Sequence, residues 1–286
     1  KENLNSALEL RENISDNKAK GEIIRSLGKV YLYLGDVRKA IEYYEKALAL
    51  DPDNAMAHNT LGVLLLDQHA IEGARVAMLK AADIGTQSAP VFYSNYAFAS
   101  LYAPGISNQE IFDIHKKYGQ RYATSEPVRG KPHTNARDPD RRLRIGYLSP
   151  DFRAHSVAYF FEALLEKHDR RQFEIALYSD TARTDAVTRS MRAAADIWVE
   201  TGGMTDAAFV QRIVDDRIDI LINLGGHTSG NRLPVCAQKP APVQIEYLGY
   251  PETSGVPAMD VRISDGRADP PGAERWCTES ILRLPD

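Results

Sequence analysis

The chain has 286 residues, 43% hydrophobic and 26% charged, an ordinary composition for a water-exposed globular protein with room for roughly two cores. Its net charge of −4, from 35 basic and 39 acidic side chains, offers no cationic field for a phosphate backbone and excludes nucleic acid as a main partner. Cys236 and Cys277 stand far apart, with no spacing for a disulfide framework or a metal site, and no apolar run reaches the roughly 20 residues that span a bilayer. These features fit a reducing, cytoplasmic setting without a membrane partner.

The chain opens on Lys1 rather than Met, which suggests a start inside a longer protein. Leu4, Ala7, Leu8 and Leu10 read as the last helix of an incomplete repeat. From residue 21 to residue 54, Leu27, Gly28, Tyr31, Gly35, Ala40, Tyr44, Ala47 and Pro52 fall at the offsets of one 34-residue tetratricopeptide (TPR) unit. Gly28 and Ala40 are small where two helices approach, Tyr31 and Tyr44 fill the remaining gap, and Pro52 stops the second helix. Leu61, Gly62, Leu65, Ala74 and Ala81 repeat the pattern, and a third unit starts near Ala89 and decays. After the Pro104-Gly105 break, Ser107 with Glu110 predicts an N-cap, and a helix over 108–123 is expected to cap the array. The Pro-, Gly- and Arg-rich stretch 124–142 reads as an exposed linker. The expected division is therefore TPR array and cap 1–123, linker 124–142 and a second domain 143–286.

Beyond the linker the period changes. The runs LRIGYL at 143–148, FEIALY at 173–178, IDILINL at 218–224, VQIEYL at 243–248 and VRI at 261–263 predict strands. Helical stretches at about 157–168, 185–195, 205–216 and 230–238 alternate with them, as in a doubly wound parallel sheet whose ligands sit at the carboxyl ends of the strands. The fold class expected is α + α/β: a TPR α-superhelix followed by a Rossmann-like lobe.

Three loops then carry the chemistry. The first strand ends in SPDFRAHS, placing His155 beside a helix N-terminus, where an anion or a proton-transfer group fits and where a simple helix cap fits as well. Next comes NLGGHTSGNR, in which Gly225, Gly226 and Gly230 permit close backbone approach and His227 and Thr228 add polar groups. It matches neither the dinucleotide fingerprint nor the P-loop, so neither nicotinamide nor ATP binding follows from it, and a Rossmann oxidoreductase is disfavoured. The third, LGYPETSG at 248–255, supplies Tyr, Thr and Ser hydroxyls.

The order LRIGYLSPDFRAHSVAYF, INLGGHTSGNR, KPAPVQIEYLGYPETSG, ADPPG and ILRLPD, preceded by TPR repeats and the junction IFDIHKKYGQRY, resembles the O-linked N-acetylglucosamine (O-GlcNAc) transferase family with its bacterial and SPINDLY-like members. The resemblance implies the first lobe of a two-lobed GT-B glycosyltransferase that moves GlcNAc from UDP-GlcNAc to Ser or Thr of proteins, inverting the anomeric centre without a metal or other cofactor. It implies His155 as the active-site histidine, Asp151 and Asp216 as further acid/base candidates, and Gly225, Gly226, His227, Thr228, Leu248, Gly249, Tyr250, Pro251 and Thr253 as donor-binding positions. Protein or peptide acceptors would lie along the TPR groove, and such arrays also support homo-oligomers. Similar bacterial sequences carry Asp at the place of Asn223 and Gly at that of Glu252. The second lobe, which chiefly holds the nucleotide, is expected to lie beyond residue 286, so this stretch alone is expected to be inactive. The competing readings are a TPR interaction module with an inactive lobe, or the same enzyme using GDP-fucose or UDP-glucose.

Overall fold

The computed structural model describes residues 16–123, 133–138, 140–181 and 183–285. The helix expected around Leu4 to Leu10 lies outside these, as does the first half of the linker. The chain divides into two compact units, Lys1–Ile106 and Ser107–Asp286.

The first unit is helical: α1 (Asn17–Tyr33), α2 (Val37–Leu50), α3 (Ala55–Asp67), α4 (Ile71–Asp83) and α5 (Ala89–Ser100). Acidic and amide side chains start the helices, with Asp36 accepting from Lys39 N–H and Asn54 from Ala57 N–H. Leu50 ends α2 just before Pro52, as the sequence predicts. The hairpin approach is also as read: a Cβ built on Gly28 would lie 3.1 Å from the Tyr44 ring. Ala40, Tyr44, Ala57, Leu61 and Leu64 form the core into which Tyr31 and Ile41 pack.

The second unit begins with α6 (Asn108–Tyr122), opened by a complete capping box between Ser107 and Glu110. The sequence assigned this helix to the end of the array; the structure groups it with the sheet-bearing unit. The reason is its packing, since the backbone at Gly119 and His115 lies directly against Gly255. The last part of the expected linker is not free either. Asn135 and Arg141 both donate to the Asp219 carboxylate, at 2.6 and 2.5 Å, and Arg144 N–H donates to it at 2.8 Å.

The sheet is seven-stranded and parallel throughout: β1 (Leu143–Ser149), β2 (Phe173–Ser179), β3 (Ile197–Glu200), β4 (Ile220–Asn223), β5 (Val243–Tyr247), β6 (Val261–Asp265) and β7 (Ser280–Leu284), in the order β3-β2-β1-β4-β5-β6-β7. Between them run α7 (Ser156–Lys167), α8 (Ala186–Ala194), α9 (Asp206–Asp215) and the short α10 (Leu233–Ala237), with a 3₁₀ turn at Ala273–Trp276. This is the doubly wound lobe expected. Strands β3 and β7 were not legible: IWVE is only four residues long, and the alternation of SILRL leaves it half exposed at the sheet edge. Helix α10 is five residues rather than the nine expected, because Gly230 turns the chain at φ +78° first. Ile145, Tyr147, Ile175 and Leu177 of β1 and β2 meet Phe161 and Leu165 of α7 in the core.

Candidate functional site

The strand order reverses between β1 and β4, which pair with Leu148 opposite Asn223. A crevice therefore opens where the loops after these two strands diverge. Into it runs the first loop. Asp151 is buried, its backbone N–H held by Ser149 Oγ and its carboxylate by Arg153 at 2.9 Å. His155 is the N-cap of α7, its Nδ1 accepting from Val157 N–H at 3.3 Å, and that nitrogen stands 3.7 Å from Asp151 Oδ2. His155 therefore caps a helix and stands beside a buried carboxylate at the switch point. While Nδ1 accepts, a neutral ring carries its proton on Nε2.

The second loop leaves β4. Gly225 N–H donates to Asn223 Oδ1 at 3.3 Å, and Thr228 Oγ1 donates to Gly225 O at 2.7 Å, so these groups build the turn. Gly226 has φ +51°, and a Cβ there would lie 2.3 Å from Tyr250, which closes the turn from above. His227 does not face the crevice. It is fully buried, its Nε2–H donating to Ser254 O at 2.8 Å, with its ring edge-on to Tyr118 and His115 of α6. Burial, reinforced by the neighbouring His115, holds its pKa well below the usual histidine range. His115 Nδ1–H donates to Ile111 O, so its Nε2 must accept, and Tyr250 O–H donates to it at 2.7 Å. Burial lowers the His115 pKa to about 4.

The third loop follows β5. Leu248 takes φ +73°, a left-handed conformation that a branched side chain rarely adopts, and Gly249 follows with no room for a Cβ beside Leu224 O. Leu248, Tyr250, Pro251 and Glu252 line a cleft of about 530 Å³ at the carboxyl ends of β5 to β7. Thr253 turns away from it: its hydroxyl donates to Glu279, which also accepts from Ser254 N–H and Ser254 Oγ. The structure thus brings together Asp151, His155, Gly225, Gly226, Leu248, Gly249, Tyr250 and Pro251 around the rim, with Thr228, His227 and Thr253 as scaffold behind them.

Asp216 is not brought to this rim. It ends α9, where its carboxylate accepts from Tyr178 O–H at 2.7 Å and Arg212 Nε at 2.8 Å, and its carbonyl accepts from Arg144. A helix that leads into a parallel strand ends at that strand's amino edge, opposite the carboxyl-end crevice.

One cleft residue went unread. Glu246 is buried on β5, lines the cleft, and accepts from the Asn223 amide nitrogen with both carboxyl oxygens, at 3.1 and 3.0 Å. Burial, with Glu279 nearby, raises its pKa well above the usual carboxylate range. The signal lay in VQIEYL, where Gln244 and Glu246 put two polar side chains at period two in a strand that is otherwise apolar. Among the described residues no cluster of three or more His, Cys, Asp or Glu stands in metal-holding geometry, and no helix is long and apolar enough to cross a membrane.

Comparison with known proteins places these features in a family. The model for glycosyl transferase family 41 matches residues 126–285, and a tetratricopeptide repeat model matches residues 25–90. The protein named "Probable UDP-N-acetylglucosamine--peptide N-acetylglucosaminyltransferase SPINDLY" of Arabidopsis thaliana is 38% identical over 183 residues, 63% of this chain and 20% of that protein. The UDP-N-acetylglucosamine--peptide N-acetylglucosaminyltransferase of Caenorhabditis elegans is 33% identical over 51% of this chain and 13% of that protein. A solved structure of a mutant O-GlcNAc transferase from Thermobaculum terrenum superimposes with TM-score 0.84 at 32% identity, covering 98% of this chain and 53% of that one. The chain thus spans a fifth or less of these two curated relatives and about half of the solved structure.

Proposed function

Because the chain belongs to glycosyl transferase family 41, we propose that it is the TPR and first-lobe portion of a protein O-glycosyltransferase, moving GlcNAc from UDP-GlcNAc to Ser or Thr hydroxyls. In the proposed reaction the acceptor oxygen attacks the anomeric carbon from the face opposite the nucleotide. The bond to the diphosphate breaks, the hydroxyl proton departs to a base or water, and the configuration inverts without a metal. The TPR helices present the polypeptide acceptor.

The observation that carries this reading is the first loop, with His155 capping α7 at the switch point 3.7 Å from buried Asp151. While Nδ1 accepts from Val157 N–H, a neutral His155 ring keeps its hydrogen on Nε2, from which it would donate to a ligand oxygen. If Nδ1 moves from Val157 N–H to Asp151, the ring proton shifts to Nδ1 and Nε2 becomes a base. One side chain thereby serves either as donor to the leaving group or as acceptor of the hydroxyl proton, and Asp151 selects between the two.

The test is transfer of label from UDP-GlcNAc into protein by the full-length protein, wild type and His155→Ala. A loss of roughly 100-fold to 10,000-fold in kcat/KM, with the fold retained, is expected for removal of a proton-transfer group. Unchanged transfer takes His155 out of the mechanism, and label entering from GDP-fucose instead reassigns the donor.

A further inference from the structure

The first loop crosses from β1 to α7 over residues 150–155, and its two halves are held differently. At its start Asp151 N–H is held by Ser149 Oγ, and the buried Phe152 ring packs between Phe161 of α7, at 5.3 Å, and Trp198 of β3, at 6.0 Å. Beyond Phe152 the backbone turns on itself, Arg153 N–H donating to Asp151 O at 2.8 Å. Asp185 then ties it to another element: Ala154 N–H donates to Asp185 Oδ2 at 2.8 Å. The next residue is His155.

Asp185 comes from the loop after β2 and is the N-cap of α8. Its Oδ1 accepts from Thr188 N–H at 2.9 Å and from Thr188 Oγ1 at 3.1 Å, while Asp185 N–H donates to Thr188 Oγ1 at 3.2 Å, a complete capping box. A cap needs one side-chain oxygen, which Ser, Thr or Asn supplies as well. The second carboxylate oxygen is therefore not accounted for by α8; it serves the first loop. Donation from the Ala154 and Thr188 backbones holds the Asp185 carboxyl below the usual carboxylate range, so the bond to Ala154 is charge-assisted at neutral pH. For His155 this tether matters because its Nδ1 stands between two partners, Val157 N–H at 3.3 Å and Asp151 Oδ2 at 3.7 Å. The second distance is roughly half an ångström beyond hydrogen-bonding reach, so a small drift of the backbone at Ala154 changes which partner the nitrogen takes.

We propose that Asp185 is a positioning residue for the glycosyl transfer: through Ala154 N–H its carboxylate fixes where His155 stands relative to Asp151. The inference rests on the reading of His155 as the proton-transfer group. Asp185 acts through that side chain and takes no part in holding the sugar nucleotide, so its removal falls on kcat rather than on KM.

The test compares transfer from UDP-GlcNAc by the full-length protein, its Asp185→Asn and His155→Ala variants, and the double variant. Asn keeps an oxygen toward Thr188, which preserves the cap of α8, and turns its amide nitrogen toward Ala154 N–H, where two donors cannot bond. Asp185→Ser likewise caps with its one hydroxyl and leaves Ala154 untethered. Both substitutions are expected to lower kcat roughly 10-fold to 100-fold with KM for UDP-GlcNAc unchanged, and Asp185→Asn to cause no further loss in the His155→Ala background. Wild-type kcat in Asp185→Asn and Asp185→Ser, or the same fold loss with and without His155, overturns the inference. Amide exchange at Ala154 in the unmutated protein needs no variant to fold: slow exchange is expected, and free exchange overturns the tether. An impaired His155→Ala beside an unimpaired Asp185→Asn removes this inference alone, whereas equal transfer by wild type and His155→Ala removes the parent reading and the inference with it.

Discussion

At the scale of single residues, two buried ionisable groups flank the rim with pKa values moved in opposite directions, and each makes a pH prediction. His115 is held near 4 by burial, below the ordinary histidine value of about 6.5. The unfolded chain therefore binds a proton that the folded one refuses, and stability present above about pH 6.5 is lost as pH falls toward 4, by on the order of 3 kcal/mol. Urea unfolding of the wild type is expected to show this loss, and His115→Gln to remove it. Glu246 behaves in reverse: its folded pKa is raised, so its contribution is full below the ordinary carboxylate value of about 4.3 and is lost as pH rises through the folded value. Glu246→Gln keeps an acceptor for Asn223 and is expected to flatten the decline on the alkaline side; an unchanged profile would show that the carboxyl is already ionised in the fold. The sequence led directly to His155, because a histidine between a strand end and a helix start stands out. It gave no sign that His227 is enclosed, since that follows from α6 packing over the second loop.

At the scale of elements, α6 rather than any rim loop decides how the site is held. Its Gly119 meets Gly255 backbone to backbone, a Cβ there falling 1.8 Å from Gly255 O, and Gly255 itself adopts φ +70°. In an unconstrained helix Gly119→Ala would stabilise by about 1 kcal/mol. Here it is expected to destabilise the second unit by about 2 kcal/mol or more, because neither backbone can yield. Thermal unfolding reads the sign, and a raised Tm would refute the close approach. Period and turn chemistry sufficed for five of the seven strands and for the capping box at Ser107, since long apolar runs and local caps are written in neighbouring residues. Edge strands β3 and β7 escaped because four or five residues with one exposed face carry too little pattern. The assignment of α6 depended on contacts with residues more than 130 positions away, as in His115 to Tyr250.

At the scale of the whole molecule, the chain joins a TPR unit to a parallel-sheet lobe whose crevice is built from three loops, and it spans about half of the solved relative. The proposed account assigns catalysis to the full-length protein and the proton-transfer role to His155. Asn223, hydrogen-bonded to Glu246, and Glu252, lining the cleft, are the positions at which donor preference is expected to respond to substitution. The most direct measurement offers radiolabelled UDP-GlcNAc to the full-length protein and to its His155→Ala variant, with protein-bound label counted in each. The account predicts label in protein from the wild type and a fall of roughly 100-fold or more in the variant. No protein-bound label from the wild type, or equal label from both, would contradict it.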